Sequence, residues 1–454
     1  MSNMPSSLPT MKLKHLADFK PQAATRAWAS IPNPNNLPLI ATATSDKSVR
    51  VYSLSNFTLH SKLEGGHERS VRSAAWKPSV RKDGASIATG GFDAMMTIAT
   101  GSFDATMGVW RRKEEQKNTI EDGPLELEIG ADGRPNKGPS LRRGGDDGSD
   151  EDEGDDWEFS IVLEGHDSEI KNVAYSPSGQ WLASCSRDKT IWIWEEIGDE
   201  GEDEFETVAV LQDHTADVKC VCWRKDDGNG EVLASGSYDD TILLSKEDGE
   251  GDWETIAKLE GHDGTVWSLD WEPDVSIKSD SSEESPITPT PRLLSSSADM
   301  TVRIWSRVPT PPPQNKPSYF NAGIPSTMRP GPENETWECT ATLPKVHDLP
   351  VYSINWSKHS GRIVSTSGDG RIAIYEERTK GRDTVGGTIE KEWVVLTVLE
   401  GAHGPYEVNH VTWCMRYDSG KKKPDEEMII TTGDDGLTKA WFIEENIEET
   451  KVEA

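Results

Sequence analysis

The chain has 454 residues with 79 Asp and Glu against 48 Lys and Arg, a formal net charge of −31, and 17 Trp beside only eight Phe and eight Tyr. That charge argues against direct nucleic-acid binding, which needs concentrated cations. Five Cys without a Cys-x-x-Cys pair argue against a disulfide framework or zinc site and for reduced thiols in the cytosol. No apolar core of signal-peptide length opens the chain, and no apolar run approaches the roughly 18 residues of a span, so neither secretion nor a membrane segment is expected.

Taken in chain order, the residues spell one unit seven times. The first unit is degenerate, with Trp28 and then "LIATATSDKSVRVY", which carries Asp46 and Tyr52. The second runs from His67 through Trp76 to Asp104 and Trp110, and it contains a doubled phrase: Ile87-Ala-Thr-Gly-Gly-Phe-Asp-Ala94 returns as Ile98-Ala-Thr-Gly-Ser-Phe-Asp-Ala105. The third, "LEGHDSEIKNVAYSPSGQWLASCSRDKTIWIW" (Leu163 to Trp194), is the clearest template: a His, an alternating strand ending in an aromatic, a small-residue strand, an Asp turn and a last strand ending in Trp. The fourth follows His214, Trp223 and Asp239 but ends in Ser245, and the fifth follows His262, Trp271, Asp299 and Trp305. The sixth follows His347, Trp356, Asp369 and Tyr375, and the seventh His403, Trp413, Asp435 and Trp441.

Short alternating runs broken by Gly, Asp and Ser predict four antiparallel strands per unit. Between the units lie acidic runs, with nine acids in 146–158, eight in 195–206 and five in 246–254, and a Pro-rich stretch around 309–313. Such compositions read as solvated, disordered connectors.

These units resemble the WD40 repeat. The resemblance implies an all-β fold, a seven-bladed β-propeller over 11–445, with repeats near 11–54, 58–111, 157–195, 205–246, 253–306, 337–376 and 393–444. An acidic insertion fills 112–156 and a Pro-rich one 307–336. It also implies that His166, Ser184, Asp188 and Trp194 link by hydrogen bonds into a structural tetrad within one blade. A hydrolase triad would be singular, whereas this set recurs from unit to unit, with 22 residues from His to Asp in both the third and sixth. In the second unit Asp104 is followed by Thr106 and Trp110, the full ending, whereas Met95 and Ala99 hold those places after Asp93. The second phrase is therefore assigned to strand b with Asp104 in the tetrad and the first bulging from the bottom face; the competing arrangement keeps the first phrase as strand b, with Asp93, and loops the second out at the top.

In a WD40 blade the strands run a to d outward from a central channel. The turns bearing the His and the Asp share one face, the top, and the long insertions fall after strand c (111–157, 195–205, 246–252, 306–336, 376–392) or between a and b (272–291, 415–427). A short-looped top is a candidate docking surface. The residues before each tetrad Asp are Ser45, Phe103, Arg187, Tyr238, Ala298, Gly368 and Asp434, and those opening strand a include Ser70, Glu169, Asp217, Thr265, Pro350 and Glu407. In this set Arg187 is the only cation, flanked by Phe103 and Tyr238. An Arg among aromatics suits a protein-binding hot spot, where its fork could take a partner carboxylate, while pairing with Glu169 or Asp217 is the internal alternative.

The third unit's "LASCSRDKTIWIWE", its acidic sequel and "LQDHTADVKCVCW" resemble more narrowly the propeller subunit of the cytosolic iron-sulfur protein assembly machinery. That resemblance implies a non-enzymatic scaffold with no cofactor and no metal site of its own. It implies partners: a small iron-sulfur targeting subunit, a large helical-repeat subunit, an iron-only-hydrogenase-like assembly protein and apo iron-sulfur clients, with no direct nucleic acid and no membrane. The location implied is cytoplasmic and also nuclear. The family's important top-face arginine lies in an S-R-D-K motif, matched by Ser186-Arg187-Asp188-Lys189. The rival readings are a general WD40 interaction protein, chromatin-associated or a ubiquitin-ligase substrate receptor, and a propeller enzyme.

Overall fold

The computed structural model describes residues 11–23, 25–79, 96–112, 157–197, 204–226, 228, 230–248, 251–273, 290–309, 334–382 and 389–445. These residues form seven four-stranded antiparallel sheets and no helix. Their innermost strands are Ala27–Pro32, Val71–Trp76, Ile170–Tyr175, Val218–Arg224, Val266–Trp271, Val351–Trp356 and Val408–Met415. Each of these packs on the next, and Ala27–Pro32 packs on Val408–Met415, so the ring closes as a seven-bladed β-propeller.

Sheets stacked face to face leave the b strands no solvent on either side. Leu39–Thr44, Val232–Ser237 and Ile363–Ser367 are buried at every position, and each opens on two aliphatic residues and continues in Ala, Ser, Thr or Gly. A Cβ on Gly236 would sit 2.6 Å from the Val266 side chain of the next blade.

The Trp surplus has a place in this packing. A Trp ending strand a meets, edge to face, a Trp opening strand d: Trp76 with Trp157, Trp223 with Trp253, Trp271 with Trp337 and Trp356 with Trp393, at centroid distances of 5.6–6.0 Å. Three of these indoles also donate to a carbonyl of the preceding blade, Trp76 to Ile31, Trp223 to Ala174 and Trp271 to Cys222. Large amphipathic rings thus fill the wedge between diverging sheets and satisfy their one donor there.

A written repeat and a sheet are offset by one strand, each repeat giving strand d of one blade and a to c of the next. The first repeat's opening strand, Met11–Asp18, therefore pairs with Thr438–Glu445 and completes the seventh blade. Phe19, just beyond it, is fully buried against Tyr52 and Phe57 of blade one. Joining the two ends of the chain in one sheet removes the edge that an open ring would expose.

In the second blade Val71–Trp76 pairs with Met96–Ser102, with Trp76 opposite Ile98, so the second copy of the doubled phrase is strand b. Asp93 and the first copy up to residue 95 lie outside the described residues.

In two connectors expected to be disordered the described residues are ordered instead. Strands Ile372–Arg382 and Ile389–Leu399 stay paired out to Arg382 opposite Ile389, giving the sixth blade a long extension of its strands c and d. Ladder hydrogen bonds and the alternating run from Glu390 to Leu399 sustain it. The 415–427 loop is pinned by Arg416, whose guanidinium donates to Asp418 and to Glu426.

Candidate functional site

In the third blade three bonds run in one direction. A carboxylate only accepts, so His166 donates from Nδ1 to Asp188 (2.8 Å), accepts at Nε2 from the Ser184 hydroxyl (2.8 Å), and Ser184 accepts from the Trp194 indole (3.2 Å). Both ring nitrogens of the histidine are thereby occupied, leaving neither free to act as a base. Burial works against ionised Asp188, but bonds from His166 and Thr190 outweigh it and hold the carboxyl well below its usual range.

The same relay recurs with substitutions. His67 bonds Thr100, and Asp104 lies 3.3 Å from its Nδ1, which assigns the second blade's carboxylate to Asp104. His262, Ser295, Asp299 and Trp305 repeat it in full, and His403, Thr431, Asp435 and Trp441 do so with Thr for Ser. The fourth blade keeps His214, Ser235 and Asp239 with Ser245 where others have Trp, and the sixth has Tyr375. Blade one has no His at the relay position, and Asp46 instead binds Thr44, Ser48 and Arg50.

Above the relays the two residue sets read from the sequence are tied together. The N–H of each residue before the Asp donates to the carbonyl of the residue opening strand a: Phe103 to Ser70, Arg187 to Glu169, Tyr238 to Asp217, and likewise round the ring. The residue after each Asp takes a left-handed conformation, as at Lys189 (φ 74°) and Asp240 (φ 66°), which closes the turn tightly.

Arg187, Tyr238, Glu169 and Asp217 are brought together with Lys171 and Lys219 around a hollow of about 210 Å³. Tyr238 is 61% exposed. Arg187 lies 3.6 Å from Glu169 with 59% of its side chain open, a loose contact, because Glu169 is bonded to Lys171 at 2.7 Å. Asp217 pairs with Lys219 at 3.0 Å rather than with Arg187. Phe103 stands apart from the hollow, beneath the Lys171 ammonium (4.6 Å) and tilted against Trp28 (6.1 Å). Arg187 is not the sole cation of the two sets. The Ser45 N–H donates to the Arg26 carbonyl, so Arg26 holds the first blade's place, where it pairs with Asp434 at 3.0 Å.

Sequence reasoning missed a third set. Every inner strand carries a register shift at its second residue, between Val71 and Ser73, Ile170 and Asn172, Val218 and Cys220, and equivalently in the other four. Such bulges re-aim a side chain. The bulged residues Arg72, Lys171, Lys219, Trp267, Tyr352 and Asn409 line the central channel, whose volume is about 660 Å³, and Trp28 is the seventh. They form a collar with cations on three consecutive blades and aromatics on the blades to either side. Lys219 lies over both Tyr238 and Trp267, joining the collar to the surface hollow. The signal was present as a column, the residue five beyond the repeat His in units two to six.

No group of three or more His, Cys, Asp or Glu able to hold a metal occurs among the described residues. The five thiols are unpaired, and burial pushes Cys185 up to about 12 and raises Cys220, Cys222 and Cys414 as well, which disfavours the thiolate needed for ligation.

A family model described as WD domain, G-beta repeat, matches residues 157–195, 205–244, 253–306 and 337–376. A protein of Sclerotinia sclerotiorum named probable cytosolic iron-sulfur protein assembly protein 1 is 96% identical over 452 residues, covering 99% of this chain and 100% of the relative. Proteins of the same name from Botryotinia fuckeliana and Neurospora crassa are 82% and 41% identical, over 98% and 96% of this chain and 100% and 97% of theirs.

Proposed function

The chain belongs to the WD40-repeat family of cytosolic iron-sulfur protein assembly protein 1, and on that premise we propose that it is a non-catalytic scaffold of that machinery. In this reading it helps deliver [4Fe-4S] clusters, as cargo, to cytosolic and nuclear apoproteins while holding none itself. Its partners are the small targeting subunit, the large helical-repeat subunit, the iron-only-hydrogenase-like assembly protein and the apo clients. The relatives' shared name supports the cytosolic setting.

One observation carries the docking role. Arg187 and Tyr238 project from adjacent short turns, mostly exposed, over a hollow whose two lysines are already paired. The backbone beneath them is fixed by the Glu169 and Asp217 carbonyls, so the pair is presented rigidly, which lowers the entropic cost of binding. Arg187, being the least committed cation there, takes a partner carboxylate, with Tyr238 as the aromatic anchor and Phe103, Glu169 and Asp217 as positioning neighbours. A catalytic reading lacks support, because the polar relay is repeated in blade after blade with its histidines satisfied.

The test is affinity purification of the tagged full chain with mass spectrometry, comparing wild type with Arg187→Glu. An exposed turn substitution costs no more than about 0.5 kcal/mol of stability, so the circular dichroism melt should be unchanged while iron-sulfur assembly subunits are depleted. Undiminished recovery of those subunits refutes the docking role. Recovery of histones or a cullin adaptor in their place favours the general WD40 reading.

A further inference from the structure

We infer that the mouth of the central channel binds a small oxyanion of the phosphate type, with Arg72 as its main donor and Lys171 and Lys219 as its flanking charges. This site adjoins the docking surface at Arg187, sharing Lys171 and Lys219 with its hollow, but does not depend on that role.

The inference starts from a cation with nothing to neutralise it. Arg72 has no hydrogen-bond or ion-pair partner among the described residues, and its Cζ lies 4.7 Å from the Trp28 ring. It lines the channel half-buried, and desolvation pulls its pKa down to about 10 although Asp434 acts in the opposite sense. A partly desolvated cation without an ion-pair partner costs free energy that a bound anion offsets.

Its neighbours share the sign. Lys171 and Lys219 occupy the same bulged position on the next two inner strands. Burial depresses Lys171, and both Lys219 and Arg72 repel its proton further. Glu169 and Asp217 each offset one of these lysines, and Asp434 is bonded by Arg26 and Asn409, so the uncompensated charge is centred on Arg72.

A neutral donor completes the set. Ser30 N–H donates to His410 Nδ1 at 3.4 Å, which leaves the ring proton on Nε2. Burial, and then Arg72, hold His410 neutral at about 3, and it too lines the channel. A planar fork, two ammonium groups and an imidazole N–H around a narrow mouth suit an anion with several acceptor oxygens. Because Arg72 lies within the channel, a compact anion reaches it where a flat protein surface does not.

The experiment is isothermal titration calorimetry and thermal melting of the full chain in inorganic phosphate against chloride at matched ionic strength. ATP forms a separate arm, since the same oxyanion can arrive free or on a nucleotide. Saturable binding in either arm is expected, with the melting temperature rising as the site fills. Arg72→Gln should weaken binding about ten-fold or more. Arg72→Met should melt in chloride at or above wild type, because it removes a partly desolvated charge that has no ion-pair partner. Absence of saturable heat in both arms, or wild-type affinity in Arg72→Gln, overturns the assignment. So does a lower chloride melting temperature for Arg72→Met, which would make Arg72 a structural partner of Trp28.

Discussion

Replacing Ser184 by Ala tests whether the relay stabilises the blade as a connected chain. Ser184 is fully buried, accepts from the Trp194 indole and donates to His166 Nε2. Removing its hydroxyl leaves both groups without a partner inside the protein. Each buried polar group so orphaned costs about 1–3 kcal/mol, so Ser184→Ala should destabilise by about 2–4 kcal/mol. The fourth blade supplies the control. Ser235 bonds His214 at 2.9 Å, but Ser245 stands where the indole would be, so Ser235→Ala orphans one group and should cost about 1–2 kcal/mol. Urea denaturation followed by far-ultraviolet circular dichroism gives both values from the shift in midpoint at constant slope. A cost for Ser235→Ala equal to or above that for Ser184→Ala would refute the reasoning, since volume and burial are alike and only the indole differs.

Further outcomes follow from the same geometry. Stability should fall on acidification in two stages: His214, lowered chiefly by burial, contributes stability that is lost as pH falls below the ordinary His value of about 6.5. Asp239 and Asp369, held at about 2 by bonds that outweigh burial, contribute stability that is lost between about pH 4 and 2, and melting temperatures across pH 7 to 2 check the sign. Phe19→Ala should cost about 3–5 kcal/mol and, by loosening the N-terminal strand from blades seven and one, add a cut there in limited proteolysis that wild type does not show. Arg292, which forks onto Glu272 and also bonds Glu377 of the next blade, should not be replaceable by Lys. Arg292→Lys should melt nearer to Arg292→Met than to wild type, because an ammonium cannot serve both carboxylates in that geometry.

What was legible in the sequence is what repeats locally. The His, Asp and aromatic columns recur at fixed distances from the strands they terminate, so seven units with those columns, and the full tetrad of the third, could be read directly, down to Ser245 and Tyr375 as departures. The doubled phrase was only half legible. Its two copies match equally well up to the Asp, and the pairing of Trp76 with Ile98 separated them. Arg26 escaped because its unit has no His at the repeat position from which to count.

The channel collar needed the tertiary structure for a different reason. Alternation tells which residues of a strand face a neighbouring sheet, but a bulge at the second position of every inner strand breaks that alternation, and no residue type marks it. Arg72, Lys171 and Lys219 each read as the polar partner in an alternating pair. Only closure of the ring, which fixes those seven bulges side by side, turns three separate cations toward one channel.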